Sequence, residues 1–287
     1  SEPLRLLAKR TAAYRTGADV PLEPDGRLFE AAQLAADFKG LVQTMKAQQH
    51  DLALKERRQA AFISDVAHEL RTPLTAIRGN AEMLEDPDLQ PELHEKFCGI
   101  IINESERLSR LTHDLLTLQR IEDDAAPMEL ARVNLRELSA GVLDALEPIL
   151  RDRQAHTEIV GEAPDVLGNL DRLKQAVTNL VENASRFIAP GGHIVIELFG
   201  LRGNSILAVK DDGCGFGDVD PKLLFDRFYR TDASRSRGTG GTGLGLAIVK
   251  SVVEAHDGSV EALNLPDGGA CFIIALPSIP ADTAPRP

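Results

Sequence analysis

The stretch Ser64-Asp65-Val66-Ala67-His68-Glu69-Leu70-Arg71-Thr72-Pro73-Leu74 lies inside a long apolar repeat, and its reading decides how the rest of the chain is understood. A proline inside a helix costs about 3 kcal/mol and removes the bond to the carbonyl four residues back, here that of Glu69. The helix is therefore weakened just beside His68. Neutral imidazole is a nucleophile, and an adjacent carboxylate can accept the proton on its other nitrogen and orient the ring. A lone histidine on such a helix is more often a bland surface residue, but this local context reverses the preference.

Outward from this stretch, apolar positions run through Leu52, Leu54, Phe62, Ile63, Val66 and Leu70 to Met83 and Leu84, which is one very long helix or two in register. Upstream, residues 3–19 and 29–52 read as helices around a turn-rich connector, Asp19 to Gly26. The second of them carries Leu34, Phe38, Leu41 and Met45 at coiled-coil spacing. Downstream, two prolines among acidic residues break the pattern at Glu85–Pro91. It resumes with Phe97, Ile101, Glu104, Leu108, Leu111, Leu115 and Leu118. Two long amphipathic helices joined by a short turn form a hairpin. Each stripe is too wide for one partner, so two hairpins pairing as a four-helix bundle, a homodimer, is the natural solution.

After an acidic, proline-ended linker at Glu122–Pro127 the pattern turns mixed. Helices are expected at Leu135–Leu150 and Asp171–Phe187, and strands at His193–Phe199, Ser205–Val209, Ser259–Leu263 and Ala270–Leu276. Alternation of this kind predicts an α/β unit. On the helix that begins at Asp171, Asn179 and Asn183 lie four apart on one face, and amide oxygens are hard ligands suited to Mg²⁺. Asp211-Asp212-Gly213-Cys214-Gly215-Phe216-Gly217 follows a strand. Glycines there admit close backbone approach, and a carboxylate can accept a hydrogen bond from an adenine amino group. Leu224-Phe225-Asp226-Arg227-Phe228-Tyr229-Arg230 comes next, with the two phenylalanines read as packing residues.

Last is Gly238-Thr239-Gly240-Gly241-Thr242-Gly243-Leu244-Gly245-Leu246, leading into a helix that ends near His256. A glycine-rich turn at a helix start is a cradle for phosphate oxygens. The string also satisfies G-x-G-x-x-G, but a dinucleotide fingerprint needs a strand immediately before it. Here the polar, mobile-looking run Thr231–Arg237 precedes it, which favours a lid over ATP. No GxxxxGK[ST] string is present, so this is not a P-loop enzyme.

Bulk properties narrow the field. The 287 residues are 43% hydrophobic and 26% charged, ordinary for globular protein. A net charge of -12 argues against nucleic-acid partners. Cys98, Cys214 and Cys271 lie far apart and form neither a metal motif nor a disulfide framework. No run approaches the ~20 apolar residues needed to cross a bilayer, and the chain reads as a soluble piece, with residues 280–287 a disordered tail.

The segment around His68 resembles the phosphoacceptor box of two-component sensor histidine kinases, and the later motifs resemble that family's asparagine, first glycine, phenylalanine and lid glycine boxes, in the family's order. The resemblance implies a dimerisation and phosphotransfer hairpin over residues 53–125 and a Bergerat-type α/β sandwich ATP-binding domain over 126–279. Residues 1–52 resemble a HAMP signalling module on seam spacing alone. The family's pattern implies that His68 is phosphorylated, that Glu69 is its acid–base partner, and that Thr72 positions water in dephosphorylation. It implies Mg²⁺ on Asn183 with Asn179 in support, Arg186 and Phe187 beside the nucleotide, and Asp211 reading adenine between Gly213 and Gly215. Arg230 would contact the γ-phosphate, and Gly241, Thr242, Gly243, Leu244, Gly245 and Leu246 would cradle phosphates.

ATP and Mg²⁺ are the implied cofactors, and an aspartate of a response regulator is the implied acceptor, with Ile77 and Ala81 in its docking face. A HAMP module implies an upstream transmembrane segment outside this chain, so the expectation is the cytoplasmic portion of a bacterial inner-membrane receptor. Gly268-Gly269-Ala270-Cys271-Phe272 and His256-Asp257-Gly258 depart from the family's usual strings without touching an assigned residue. A gyrase- or chaperone-type ATPase would lack the His-Glu-x-x-Thr-Pro hairpin. A degenerate, non-catalytic scaffold would have lost His68, Asn183 or the lid glycines, and all are intact.

Overall fold

Hydrophobic periodicity carries straight through the weak point at Pro73. In the structure, a computed structural model that describes residues 29–122, 128–231 and 241–279, helix α1 runs unbroken from Phe29 to Met83 with Pro73 inside it. The alternative of two helices in register is thereby decided in favour of one. The expected helix 3–19, the connector Asp19–Gly26, most of the linker Glu122–Pro127, the run 232–240 and the tail 280–287 lie outside the described residues. The chain divides into two units, Ser1–Ala67 and His68–Pro287. In the first, the seam residues Leu41 and Met45 and the later Leu52 and Ile63 are exposed.

In the second unit, α1 ends at a turn in which the Asp86 carboxylate accepts from the Asp88 N–H. Helix α2, Pro91–Glu122, then opens with proline at its first position, where a missing N–H costs nothing. Its leucines Leu111 and Leu118 are buried, while Ile102 and Leu116 stay exposed. Arg107 of α2 reaches back to α1, its Nη2 donating to Glu69 Oε2 at 3.1 Å.

The α/β part begins with strand β1, Ala131–Val133, and helix α3, Leu135–Asp152. The Asn134 side chain caps α3 by accepting from the N–H groups of Arg136 and Glu137, both at 3.0 Å. There follow β2 (His156–Gly161), β3 (Val166–Gly168), α4 (Leu170–Phe187), β4 (His193–Leu201), β5 (Asn204–Asp211), a short 3₁₀ turn (Pro221–Phe225), α5 (Gly245–Glu254), β6 (Ser259–Asn264) and β7 (Ala270–Pro277). The main sheet has the order β2-β4-β5-β7-β6, with only the β2–β4 pair parallel, and β1 pairs antiparallel with β3. Along β4 the alternation is clean, with Ile194, Ile196 and Leu198 buried. They join the apolar stripes of α3, α4 and α5, including Val142, Leu180 and Ile248, in one core.

Strands expected from sequence are longer by a residue or two at their ends, as fraying and assignment allow. Strands β1, β2 and β3 were not expected. The first and third have three residues each, too few for periodicity to register. The second is an edge strand with no fully buried residue, so His156-Thr-Glu-Ile-Val-Gly161 carries no alternating pattern to read.

Candidate functional site

Helix α4 sorts its residues by face. Leu173, Ala176, Val177, Leu180, Val181 and Ala184 go into the core. Gln175, Asn179, Glu182, Asn183 and Arg186 line the wall of a cavity of about 860 Å³. Steps of three and four residues put these five on one stripe. The Asn179 amide donates to the Gly245 carbonyl at 3.2 Å, tying α4 to the first residue of α5. Among the described residues no hydrogen bond engages the Asn183 side chain, which leaves its oxygen for the cavity. Arg186 pairs with Glu182 one turn back at 3.1 Å.

Strand β5 delivers Asp211 to the same cavity. Its Oδ1 accepts from the N–H groups of Gly213 at 2.9 Å and Ala270 at 3.2 Å, so Oδ2 is the oxygen left for a ligand. Burial pushes its carboxyl above the ordinary value; those two backbone donors oppose the rise and neighbouring Asp212 adds to it. At Gly213 an added Cβ would stand 2.7 Å from the Phe187 carbonyl oxygen, so the turn closes only without a side chain. The Phe216 ring lies 6.5 Å from Phe272, and Phe225 meets Phe272 edge-on at 6.3 Å, so Phe225 packs as expected.

The glycine loop reaches the opposite wall. Gly243 has φ +73° and backs onto the Phe228 backbone, where a Cβ would come within 2.9 Å. Phe228 N–H donates to the Gly243 carbonyl at 2.9 Å. Helix α5 then starts with no side-chain cap and no acid in its first turn. Its open N–H groups are the positive end expected at an anion site.

Of the residues singled out from sequence, Asn179, Asn183, Arg186, Phe187, Asp211, Gly215, Arg230, Gly241, Thr242, Gly243, Gly245 and Leu246 line this one cavity. Gly213 and the fully buried Leu244 do not line it but hold its turns. His68, Glu69 and Thr72 stand on the hairpin, outside the cavity lining. His68 is exposed, and the Thr72 hydroxyl donates to the His68 carbonyl at 3.3 Å. Ala81 is exposed and Ile77 half-buried.

The second hairpin helix also contributes a wall. Ser109, Arg110, His113, Asp114, Thr117 and Arg120 all face the cavity. These residues were not singled out from the sequence. A polar stripe at three- and four-residue steps beside the leucine stripe was the available signal, but a charged helix face is ordinarily solvated. His256, buried, serves the fold: its Nε2 accepts from the Asn169 N–H at 2.9 Å and its Nδ1 donates to the Val252 carbonyl at 2.7 Å. Burial holds its basicity below that of a free imidazole.

Residues 58–124 match the His Kinase A (phospho-acceptor) domain family. Residues 168–280 match the family of histidine kinase-, DNA gyrase B-, and HSP90-like ATPases. The sensor protein SphS of Synechococcus elongatus is 38% identical over 92% of the chain and 65% of its own length. The probable sensor histidine kinase TcrY of Mycobacterium tuberculosis is 34% identical over 92% of the chain and 56% of its own length. The chain thus spans less than two thirds of these relatives. The solved structure of histidine kinase ThkA in complex with response regulator protein TrrA superposes with a TM-score of 0.63 at 25% identity, covering 77% of this chain and 62% of that one. With a phosphoacceptor hairpin followed by this ATPase fold, the chain belongs to the sensor histidine kinases of two-component systems. The α/β part is the ATP-using domain of that family. Among the described residues no helix is long and apolar enough to cross a membrane.

Proposed function

We propose that the protein uses Mg-ATP to phosphorylate His68 and passes the phosphoryl group to an aspartate of a response regulator. The observation that carries this reading is the gathering of Asn183, Arg186, Asp211, Arg230 and the lid glycines around one cavity next to a hairpin that bears a His-Glu-x-x-Thr-Pro segment with His68 exposed. Asp211 Oδ2 accepts from the adenine amino group. The start of α5 and Gly241–Gly245 take the phosphates, and Arg186 and Arg230 offset their charge.

A metal fits the donor set. No cluster of three or more His, Cys, Asp or Glu able to hold an ion occurs among the described residues. The Asn183 oxygen is a hard ligand suited to Mg²⁺, an ion that takes its remaining ligands from phosphates and water. When bound, the ion neutralises charge on the phosphates. His68 lies outside the cavity lining, so imidazole and γ-phosphate meet after the α/β domain shifts on the 122–127 linker. A ring nitrogen of neutral His68 then attacks phosphorus in line. The P–N bond forms as the bridging P–O bond breaks, ADP leaves with that electron pair, and Glu69 holds the proton of the other ring nitrogen.

The exposed apolar side chains Leu74, Ile102 and Leu116 support a dimeric four-helix bundle. The complex formed by ThkA supports a response regulator as acceptor, with Thr72 positioning water when the regulator is dephosphorylated. The coiled-coil spacing of Leu34, Phe38, Leu41 and Met45 supports a HAMP-like module over residues 1–52, with 53–125 and 126–279 the working domains. Incubation with Mg²⁺ and γ-labelled ATP tests the reading. Acid-labile, base-stable label that vanishes in His68→Ala and Asn183→Ala is expected; label persisting in His68→Ala would mean another acceptor.

A further inference from the structure

Across the cavity from α4, the hairpin places a carboxylate against the glycine loop that leads into α5. The Thr242 hydroxyl of the glycine loop donates to Asp114 Oδ2 at 2.7 Å. The same Thr242 oxygen accepts from the Leu244 N–H at 3.3 Å, just before the uncapped start of α5. His113 and Arg110 on its own helix and Arg186 on α4 favour its charged form. An anion beside a hydroxyl, a helix start and two arginines stands in a setting suited to anions. Two other hydrogen bonds cross this seam at greater length: Gln175 Nε2 donates to Thr117 Oγ1 and Arg172 Nη2 to the Arg120 carbonyl, both at 3.3 Å. The Asp114 contact is shorter than either and is made to a carboxylate.

Resting on the nucleotide reading of the cavity, we propose that Asp114 is an internal stand-in for a phosphate of the nucleoside triphosphate, occupying a subsite formed by Thr242, Arg186, Arg110 and His113 and holding the α/β domain against the hairpin until ATP displaces it. The contact is poised to be displaced. Burial raises the Asp114 carboxyl above its ordinary value in spite of the Thr242 bond and the neighbouring His113, Arg186 and Arg110, so the carboxylate is held there at a desolvation cost that return to solvent relieves. Displacement also frees the α/β domain for the shift toward His68, so nucleotide occupancy and release from the resting arrangement become one event. Arg110 and His113 then remain as phosphate contacts from the hairpin while the two parts are docked.

Calorimetric titration of the whole chain with Mg-ATP, Mg-ADP and adenosine, beside Asp114→Asn and Asp114→Ala, tests this. Asparagine keeps the shape and an acceptor for Thr242 but removes the charge. About fivefold or tighter binding of ATP is expected in both variants, a smaller gain for ADP, and none for adenosine, which has no phosphate to compete. Equal or weaker ATP binding in both variants overturns the proposal. So does a gain of the same size for adenosine, which would mean general loosening of the cavity. Asn183→Ala separates the two readings. If ATP binding depends on Asn183 while Asp114→Asn leaves it unchanged, the stand-in falls and the nucleotide site stands. If Asn183→Ala binds ATP as well as the parent does, the nucleotide reading fails and this inference with it.

Discussion

The hairpin and the α/β domain bury apolar surface in opposite ways. Around the five-stranded sheet, Leu180, Val181, Ile194, Ile196 and Ile248 are wholly enclosed by the chain's own elements. On the hairpin, Leu74, Ile102 and Leu116 each keep more than half of their surface exposed. A sheet with helices against it closes a core by itself, whereas two helices leave half of each stripe without a cover. The α/β domain therefore closes its core within one chain, whereas the hairpin leaves an apolar stripe for the proposed second copy to cover.

Truncation inside the closed core separates the two parts most sharply. Leu180→Ala is expected to lower the unfolding free energy by about 2–5 kcal/mol in urea titrations, because the cavity cannot collapse between α4 and the sheet. A loss below about 1 kcal/mol would show that this core is not self-contained. On the hairpin, Ile102→Asp should weaken self-association by about 2 kcal/mol or more in sedimentation experiments while leaving the urea midpoint of the α/β domain unchanged. If the variant stays dimeric, the exposed stripe is not the interface. A smaller effect is expected at the α3 cap. Asn134→Ala leaves two N–H groups without their acceptor and should cost about 1 kcal/mol, with no change in self-association.

The cysteines sharpen the comparison at least cost to the fold. Cys271 is buried on β7, and burial pushes its thiol up to about 11, whereas Cys214 is exposed and Cys98 half-buried. In the folded chain Cys214 and Cys98 should alkylate at pH 8 well before Cys271, which reacts only as fast as β7 opens. A thiol raised on folding holds its proton more tightly when folded. Its contribution to stability is thus complete at neutral pH and is lost as pH rises from the unfolded value toward about 11. Alkylation of Cys271 as fast as Cys214 would mean that β7 opens readily between β5 and β6.

Much of the candidate site was legible locally. The spacing of Asn179 and Asn183 placed both on the cavity wall, since a helix turn is enough to set those neighbours. The leucine stripe of α2 likewise announced its helix. What escaped reading were features with no local pattern. Strand β2 has none because it is an edge strand in which a single residue, Ile159, packs against the core, too little to set an alternation. The cavity-facing stripe Arg110, His113, Asp114 and Thr117 has the composition of any solvated helix face.

By itself the sequence determined the order of parts, the helical hairpin, the α/β domain and the family to which they belong, because periodicity and short motifs act over a turn of helix or a single loop. Tertiary structure alone decided that α2 forms a wall of the cavity and that Asp114 meets Thr242 across 128 positions of chain. Those pairings arise from packing between distant segments, and no residue's own neighbours in sequence encode which surface it will face.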